Sequence, residues 1–197
     1  RIPVRLWCRD RNLNTEDAML LENTFKGFAD NGANLSPEDK ETYKQLSEKL
    51  SLASMRFKQN SLNETNAYSR LVTDSTELAG MPAYFMEMTA ANAKAAGKEG
   101  WLLDLKATCY SPLPTSADNR ALREEIWRAF STQCLDGEFS NVENIKEIIN
   151  TRPAIANLFG CKTYAEYALK NRMAEKTENV ENLLNALIEA YTPATKA

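Results

Sequence analysis

The sequence predicts a mostly α-helical protein: a multi-helix, bundle-like array with one short strand or hairpin near residues 101–110. Apolar residues recur at spacings of three and four along most of the chain, which is the period of an amphipathic helix. Residues that favour helix starts and glycines that favour helix ends separate these runs. At 197 residues the chain is long enough to bury a core, and we expect residues 1–197 to form a single helical domain.

Two helices are predicted in the first third of the chain. Asn14 or Thr15 can cap the first, and Gly32 is a natural stop. The second begins with a capping Ser36 and has Pro37 at its first helical position. Its apolar stripe comprises Tyr43, Leu46, Leu50, Ala53 and Phe57. A helix packed inside a bundle explains this stripe more simply than a coiled coil, because the pattern stops after a few turns.

The middle of the chain contains the one predicted strand. A helix over residues 83–96 comes first. Residues 101–110 then alternate apolar and polar side chains, which indicates a strand that Pro112 and Pro114 end. A strand needs a partner, and the partner of this strand lies either in a weakly predicted segment such as residues 68–72 or outside the chain.

Four helices are predicted in the last third of the chain. Three of them have start signals: Asp118 as a cap, the capping box of Thr163 with Glu166, and Thr177 as a cap. The other, second in chain order, is recognised by an isoleucine-rich run over residues 145–149. Pro153 interrupts or restarts the second of these helices, and Pro193 with a small polar tail follows the last.

The chain contains no histidine. Catalysis by Ser-His-Asp or Cys-His arrangements and every zinc motif with histidine are therefore excluded within it. The four cysteines stand far apart, at Cys8, Cys109, Cys134 and Cys161. Two disulfides are conceivable, but reduced, partly buried thiols in a reducing compartment are the expectation. These observations assign no catalytic or metal-binding residue, and the substrate-binding residues stay unknown.

Charge and hydropathy exclude two classes of partner. The net charge of −3 argues against nucleic acid, because phosphate binding requires a basic surface. No apolar run approaches the roughly 18 residues that a membrane-spanning helix needs. We therefore expect neither a nucleic acid nor a membrane as partner.

Two groups of polar residues carry weak chemical signals. Asp136 and Glu138 flank a glycine, and we interpret them as solvated turn residues rather than as an acid–base pair. Three arginines fall on one predicted helix, at Arg120, Arg123 and Arg128. Ion pairing with Glu124, Glu125 or a neighbouring helix is a more usual role for them than binding an anion.

The large apolar side chains are interpreted as core. Trp101 and Trp127 are predicted to anchor it. Met81, Met86 and Met88 fill gaps in it more plausibly than they form a binding surface.

The order of several short motifs is more specific than any one of them. In chain order they are Gly32-Ala33-Asn34-Leu35, Leu78-Ala79-Gly80-Met81-Pro82, Gly100-Trp101, Tyr110-Ser111-Pro112, Arg120-Ala121-Leu122-Arg123-Glu124, Leu158-Phe159-Gly160, Tyr164-Ala165 and Met173-Ala174. This succession resembles the zinc metallopeptidases that include thimet oligopeptidase, oligopeptidase A and bacterial peptidyl-dipeptidase (dipeptidyl carboxypeptidase). The resemblance runs from about Asn14 to the end, and the Gly-Ala-Asn-Leu segment is most similar to the peptidyl-dipeptidase branch. Met81, Phe159 and Cys161 depart from the family pattern by apolar exchanges.

The resemblance implies that the catalytic chemistry lies outside this chain. In the family, a His-Glu-x-x-His helix and a later glutamate bind zinc, and the first glutamate is the general base. None of these roles transfers to a chain without histidine. The resemblance thus implies the helical part that precedes the zinc motif, with no cofactor in this chain and zinc in the full-length parent.

Two functions follow from these observations. By resemblance, the chain is a non-catalytic fragment of a peptidyl-dipeptidase-like oligopeptidase, an expectation that the start at Arg1 also favours. It then forms or supports one wall of a channel for short peptides, and its partners are those peptides and the remaining catalytic region of the same polypeptide. The alternative is a stand-alone helical protein-interaction module. The parent is expected in the cytoplasm, or in the periplasm after signal removal.

Overall fold

Helices dominate the computed structural model, which describes residues 13–196. In chain order the helices are α1 (Thr15–Asp30), α2 (Pro37–Ala67), α3 (Ala83–Ala95), α4 (Ala107–Tyr110), α5 (Pro112–Ser116), α6 (Arg120–Ser131), α7 (Val142–Leu158), α8 (Tyr164–Leu169) and α9 (Thr177–Lys196). The strands are β1 (Arg70–Val72) and β2 (Trp101–Leu103), and a 3-10 turn covers Ser75–Leu78. The predicted fold class is confirmed.

The described residues divide into two compact units. One comprises residues 13–51 and 148–196, and the other comprises residues 52–147. Helices α2 and α7 contribute residues to both units.

In the first unit, α1 and α2 begin at predicted caps. The side chain of Asn14 accepts a hydrogen bond from the backbone N–H of Asp17 at 2.8 Å. Ser36 Oγ accepts one from the backbone N–H of Asp39 at 3.1 Å. Each cap satisfies a backbone donor that has no partner within its helix.

An aromatic cluster joins α8 to the rest of the first unit. The ring of Phe159 meets Tyr43 edge-on, with centroids 5.3 Å apart, and lies 4.9 Å from the ring of Tyr167. The Tyr167 hydroxyl donates a hydrogen bond to the carbonyl oxygen of Asp30 at 2.9 Å. Burial raises the pKa of Tyr167 to about 12, so the hydroxyl keeps its proton for this bond at neutral pH.

The boundaries of α7, α8 and α9 test the predictions for the C-terminal third. Thr163 is confirmed as the cap of α8, since its Oγ1 accepts from the backbone N–H of Glu166 at 3.2 Å. The other half of the capping box differs, because Glu166 Oε2 accepts from the backbone N–H of Lys162, at 2.8 Å, rather than from that of Thr163. Pro153 neither interrupts nor restarts α7, and Pro193 does not end α9, because both lie inside continuous helices. A proline ring holds φ near the helical value but has no N–H, so each of these helices continues with one backbone donor fewer. Thr177 is the first residue of α9 rather than its cap.

In the second unit, one apolar core gathers the hairpin and α3 to α6. Its buried members are Val72, Leu78, Phe85, Leu103, Leu105, Cys109, Leu113, Ala117, Leu122 and Ile126. Met81, Met86, Met88 and Trp101 pack against this core, as predicted. Trp127 does not, because 53% of it is exposed.

The predicted strand is present but shorter, and its partner lies within the chain. β1 pairs with β2 in antiparallel register, with Leu71 opposite Leu102. The prediction of a strand over residues 101–110 is wrong beyond Leu103. The Asp104 side chain accepts a hydrogen bond from the backbone N–H of Lys106 at 3.0 Å, and this local turn leads into α4 instead of extending the ladder.

The segment after α4 corrects two further predictions. Pro112 and Pro114 do not end a strand but lie in the first turn of the short helix α5. Proline is tolerated there because the backbone N–H groups of a first turn have no acceptor within the helix. Asn119 caps α6 in place of Asp118, because its Oδ1 accepts from the backbone N–H of Leu122 at 3.2 Å. The backbone N–H of Asp118 instead donates to Ala79 O at 2.8 Å.

Candidate functional site

The donor groups in the described residues do not fit a zinc ion. Residues 13–196 contain no cluster of three or more histidine, cysteine, aspartate or glutamate side chains placed to hold a metal. Cys109, Cys134 and Cys161 are buried and free. Burial raises the pKa of the Cys109 thiol to about 11 and also raises the pKa of Cys134. Protonated, buried thiols are poor zinc ligands, and Cys8 lies outside the described residues.

The acidic turn after α6 contributes to a shallow pocket of about 460 Å³. Asp136 and Glu138 are exposed and flank Gly137, whose φ is +74°. Glu64 of α2 and Tyr68 line the same pocket. The Tyr68 hydroxyl is buried and has no hydrogen-bond partner among residues 13–196, and burial together with Glu125 raises the pKa of this tyrosine.

The three arginines of α6 have different environments. Arg128 Nη2 lies 2.8 Å from Glu124 Oε1, so the predicted ion pair is confirmed for this residue. Arg123 donates to the carbonyl oxygens of Ala117 and Asp118. Arg120 and Arg123 line a second pocket, of about 410 Å³, together with Pro114, Glu124 and Trp127.

Glu125 pairs with an arginine outside α6. Arg70 Nε lies 3.2 Å from Glu125 Oε1, and Arg70 Nη2 lies 3.0 Å from Glu77 Oε2. The same guanidinium donates to the carbonyl oxygen of Leu71 at 2.6 Å. This arginine therefore ties β1 to the 3-10 turn and to α6, which is a structural role.

A buried asparagine joins α2 to the start of α7. Asn141 is 1% exposed, and its Nδ2 donates to the carbonyl oxygen of Phe57 at 3.0 Å. Its Oδ1 accepts from Asn60 at 3.2 Å and from Asn144 at 2.8 Å. The sequence contains no local signal for this residue, because its partners on α2 are about 80 positions away.

Within residues 13–196, every helix is too short or too polar to cross a bilayer.

Comparisons with known proteins identify relatives over most of the chain. The profile of Peptidase family M3 matches residues 113–197. Oligopeptidase A of Escherichia coli is 35% identical over 186 residues, and that of Salmonella typhimurium is 34% identical over the same length. Each alignment covers 92% of this chain and 27% of the relative. The E. coli dipeptidyl carboxypeptidase is 26% identical over 189 residues, covering 94% of this chain and 28% of its own.

These matches confirm the resemblance that the ordered motifs predict. The chain spans about a quarter of the length of the curated relatives it matches. Identity is higher with oligopeptidase A than with dipeptidyl carboxypeptidase, so these relatives favour the oligopeptidase A branch over the expected peptidyl-dipeptidase branch.

Proposed function

Because this chain is a homologue of the M3 peptidases, we propose that it is the helical, non-catalytic region of a zinc-dependent oligopeptidase. In that longer protein it forms or supports one wall of a channel for short peptides. The observation that carries the proposal is the alignment with oligopeptidase A, which covers 92% of this chain but 27% of the relative. The substrate class is taken from the names of these relatives and from the motifs that resemble the family.

The side chains available as zinc ligands support a longer polypeptide in which another region binds the metal. This chain supplies no histidine, and residues 13–196 hold no cluster of potential zinc ligands. The zinc ligands and the general base therefore belong to the remaining catalytic region of the same polypeptide. When bound there, zinc lowers the pKa of a water molecule and polarises the peptide carbonyl.

Exposed apolar side chains support the same proposal. Neither α1 nor α9 has a buried residue among those the structure describes. The exposed side chains of α9 include Leu183, Leu184, Leu187, Ile188 and Tyr191. Large apolar patches usually mark a surface that another element covers. The catalytic region of the longer protein is the covering element that we propose, and the buried thiols fit a cytoplasmic location for it.

The first experiment is to determine the gene sequence on both sides of this segment. We expect the reading frame to continue into His-Glu-x-x-His and a later glutamate. The full-length protein should then hold about one zinc ion per chain and cleave internally quenched short peptides. The 197-residue chain should do neither, so robust hydrolysis by the pure chain would overturn the proposal.

The alternative is a stand-alone helical protein-interaction module. The exposed apolar face of α9 favours it as well, because such faces also bind partner helices. A start codon next to Arg1 and a stop codon after Ala197 would support this function and exclude the channel wall.

A further inference from the structure

One face of α6 brings cationic and aromatic groups together beside α5. Arg120, Arg123 and Trp127 lie at helical spacings of three and four, so their side chains share this face. With Pro114 of α5 and Glu124 they line the pocket of about 410 Å³. We call this cleft the arginine–tryptophan pocket.

The pocket carries excess positive charge. Among the described residues that line it, Glu124 is the one carboxylate. Arg128 holds that carboxylate at 2.8 Å and lowers its pKa through this hydrogen bond. Within residues 13–196, Arg120 and Arg123 have no carboxylate partner at salt-bridge distance. Arg120 acts on Glu124 only at longer range, where it also lowers the pKa of that carboxyl. The pocket therefore has two guanidinium groups and a single carboxylate, which Arg128 already holds.

The neighbouring acid does not neutralise them. Asp118 precedes α6, and its carboxyl group is directed toward Gly80, because a Cβ at that glycine would lie 2.9 Å from Asp118 Oδ1. Asp118 offers its backbone carbonyl to Arg123, at 3.0 Å. This contact orients the Arg123 guanidinium without balancing its charge.

The aromatic group supplies the second half of the recognition chemistry. Trp127 is 53% exposed, although tryptophan is usually highly buried. Arginine and tryptophan are the residues that most often dominate binding at protein surfaces, and an indole offers a rigid apolar surface at small entropic cost.

We propose that the arginine–tryptophan pocket binds an acidic peptide segment. A carboxylate of the peptide binds Arg120 and Arg123, which are suited to planar anions, and an adjacent apolar side chain packs on Trp127. Charge complementarity selects this occupant, because a neutral peptide would leave the two guanidinium groups opposed only by Glu124, which Arg128 already holds. Pro114, Arg120, Arg123, Glu124 and Trp127 all belong to this chain, so the inference does not depend on the proposed function.

The test is an NMR titration of the ¹⁵N-labelled 197-residue chain. The chain has three tryptophans, and the Trp127→Phe variant identifies the indole N–H signal of Trp127. The probe is N-acetyl-Phe-Glu-amide, and its neutral match is N-acetyl-Phe-Gln-amide. We expect the acidic probe to shift the Trp127 signal and to bind about ten-fold more tightly than the neutral one, with binding weakened by salt.

Two charge-matched variants separate the pocket from general electrostatics. Arg120→Gln removes a pocket cation whose side chain makes no hydrogen bond within residues 13–196, and it should weaken the acidic probe about ten-fold. Arg56→Gln removes the same charge from α2, outside the lining residues, and should change binding less than about two-fold. Equal affinity for both probes, or equal effects of both variants, would refute the proposal. Circular dichroism confirms that each variant is folded.

Discussion

Gly80 has a backbone conformation and surroundings that a side chain does not tolerate. Its φ is +85°, and a Cβ there would collide with the carbonyl oxygen of Ser116. The adjacent backbone fixes this approach, since the N–H of Asp118 donates to Ala79 O at 2.8 Å. The turn after the 3-10 segment therefore packs directly on the end of α5.

We predict that Gly80→Ala lowers the free energy of unfolding by about 3 kcal/mol, from left-handed strain and from the collision. Gly97→Ala is the matched control, because Gly97 also has positive φ, at +68°, but has no atom within 4 Å of its would-be Cβ. The Gly97→Ala variant should lower the free energy of unfolding by about 1 kcal/mol. Urea denaturation measures both, and equal losses would show that the close approach is unimportant.

At the scale of elements, α2 and the start of α7 are joined by buried polar bonds. Asn141 uses both ends of its amide, to Phe57 and Ser61 on one side and to Asn60 and Asn144 on the other. Its own carbonyl oxygen accepts the first hydrogen bond of α7, from Ile145 at 2.8 Å. One residue thus positions a helix start and its neighbour.

We predict that Asn141→Ala destabilises the chain by about 3 kcal/mol, since buried donors and acceptors lose their partners. Asn144→Ala keeps the amide of Asn141 and removes one hydrogen bond, so its cost should be about 1 kcal/mol. Thermal unfolding followed by circular dichroism compares the two. If Asn144→Ala costs as much as Asn141→Ala, the buried amide is not the main connection.

The accuracy of prediction for each element depends on how local its determinants are. Asn14, Ser36 and Thr163 act on backbone groups three residues away, so the starts of α1, α2 and α8 were readable from the sequence. The end of β2 is not readable in this way. Leu105 is buried in a turn rather than in a strand, and a turn that buries alternate residues has the same apolar–polar alternation in sequence as a strand.

The arginine–tryptophan pocket shows the same limit for a site. The spacing of the arginines was visible in the sequence, whereas the exposure of Trp127 depends on which elements pack against the opposite face of α6. Leu122 and Ile126 of that helix are buried in the core. An indole one position further along the helix therefore points away from the core, and hydrophobicity alone predicted the reverse.

At the scale of the whole molecule, the two units differ in how their helices are covered. α3 and α6 each bury apolar residues in the core of residues 52–147, whereas α1 and α9 bury none of the residues described. The alignments cover 27% of the length of the two oligopeptidase A relatives. Without the covering region that we propose, the apolar face of α9 is exposed and available for self-association.

We predict that the 197-residue chain self-associates as its concentration rises, because contact between α9 faces removes apolar surface from water. Leu187→Glu places a charge on that face and should reduce the average mass seen by light scattering toward that of a monomer. Asn185→Glu adds a charge at an exposed polar position of the same helix and should leave association nearly unchanged. A wild-type chain that stays monomeric at high concentration would contradict the prediction. Loss of association in the full-length protein would instead support coverage of α9 by the catalytic region.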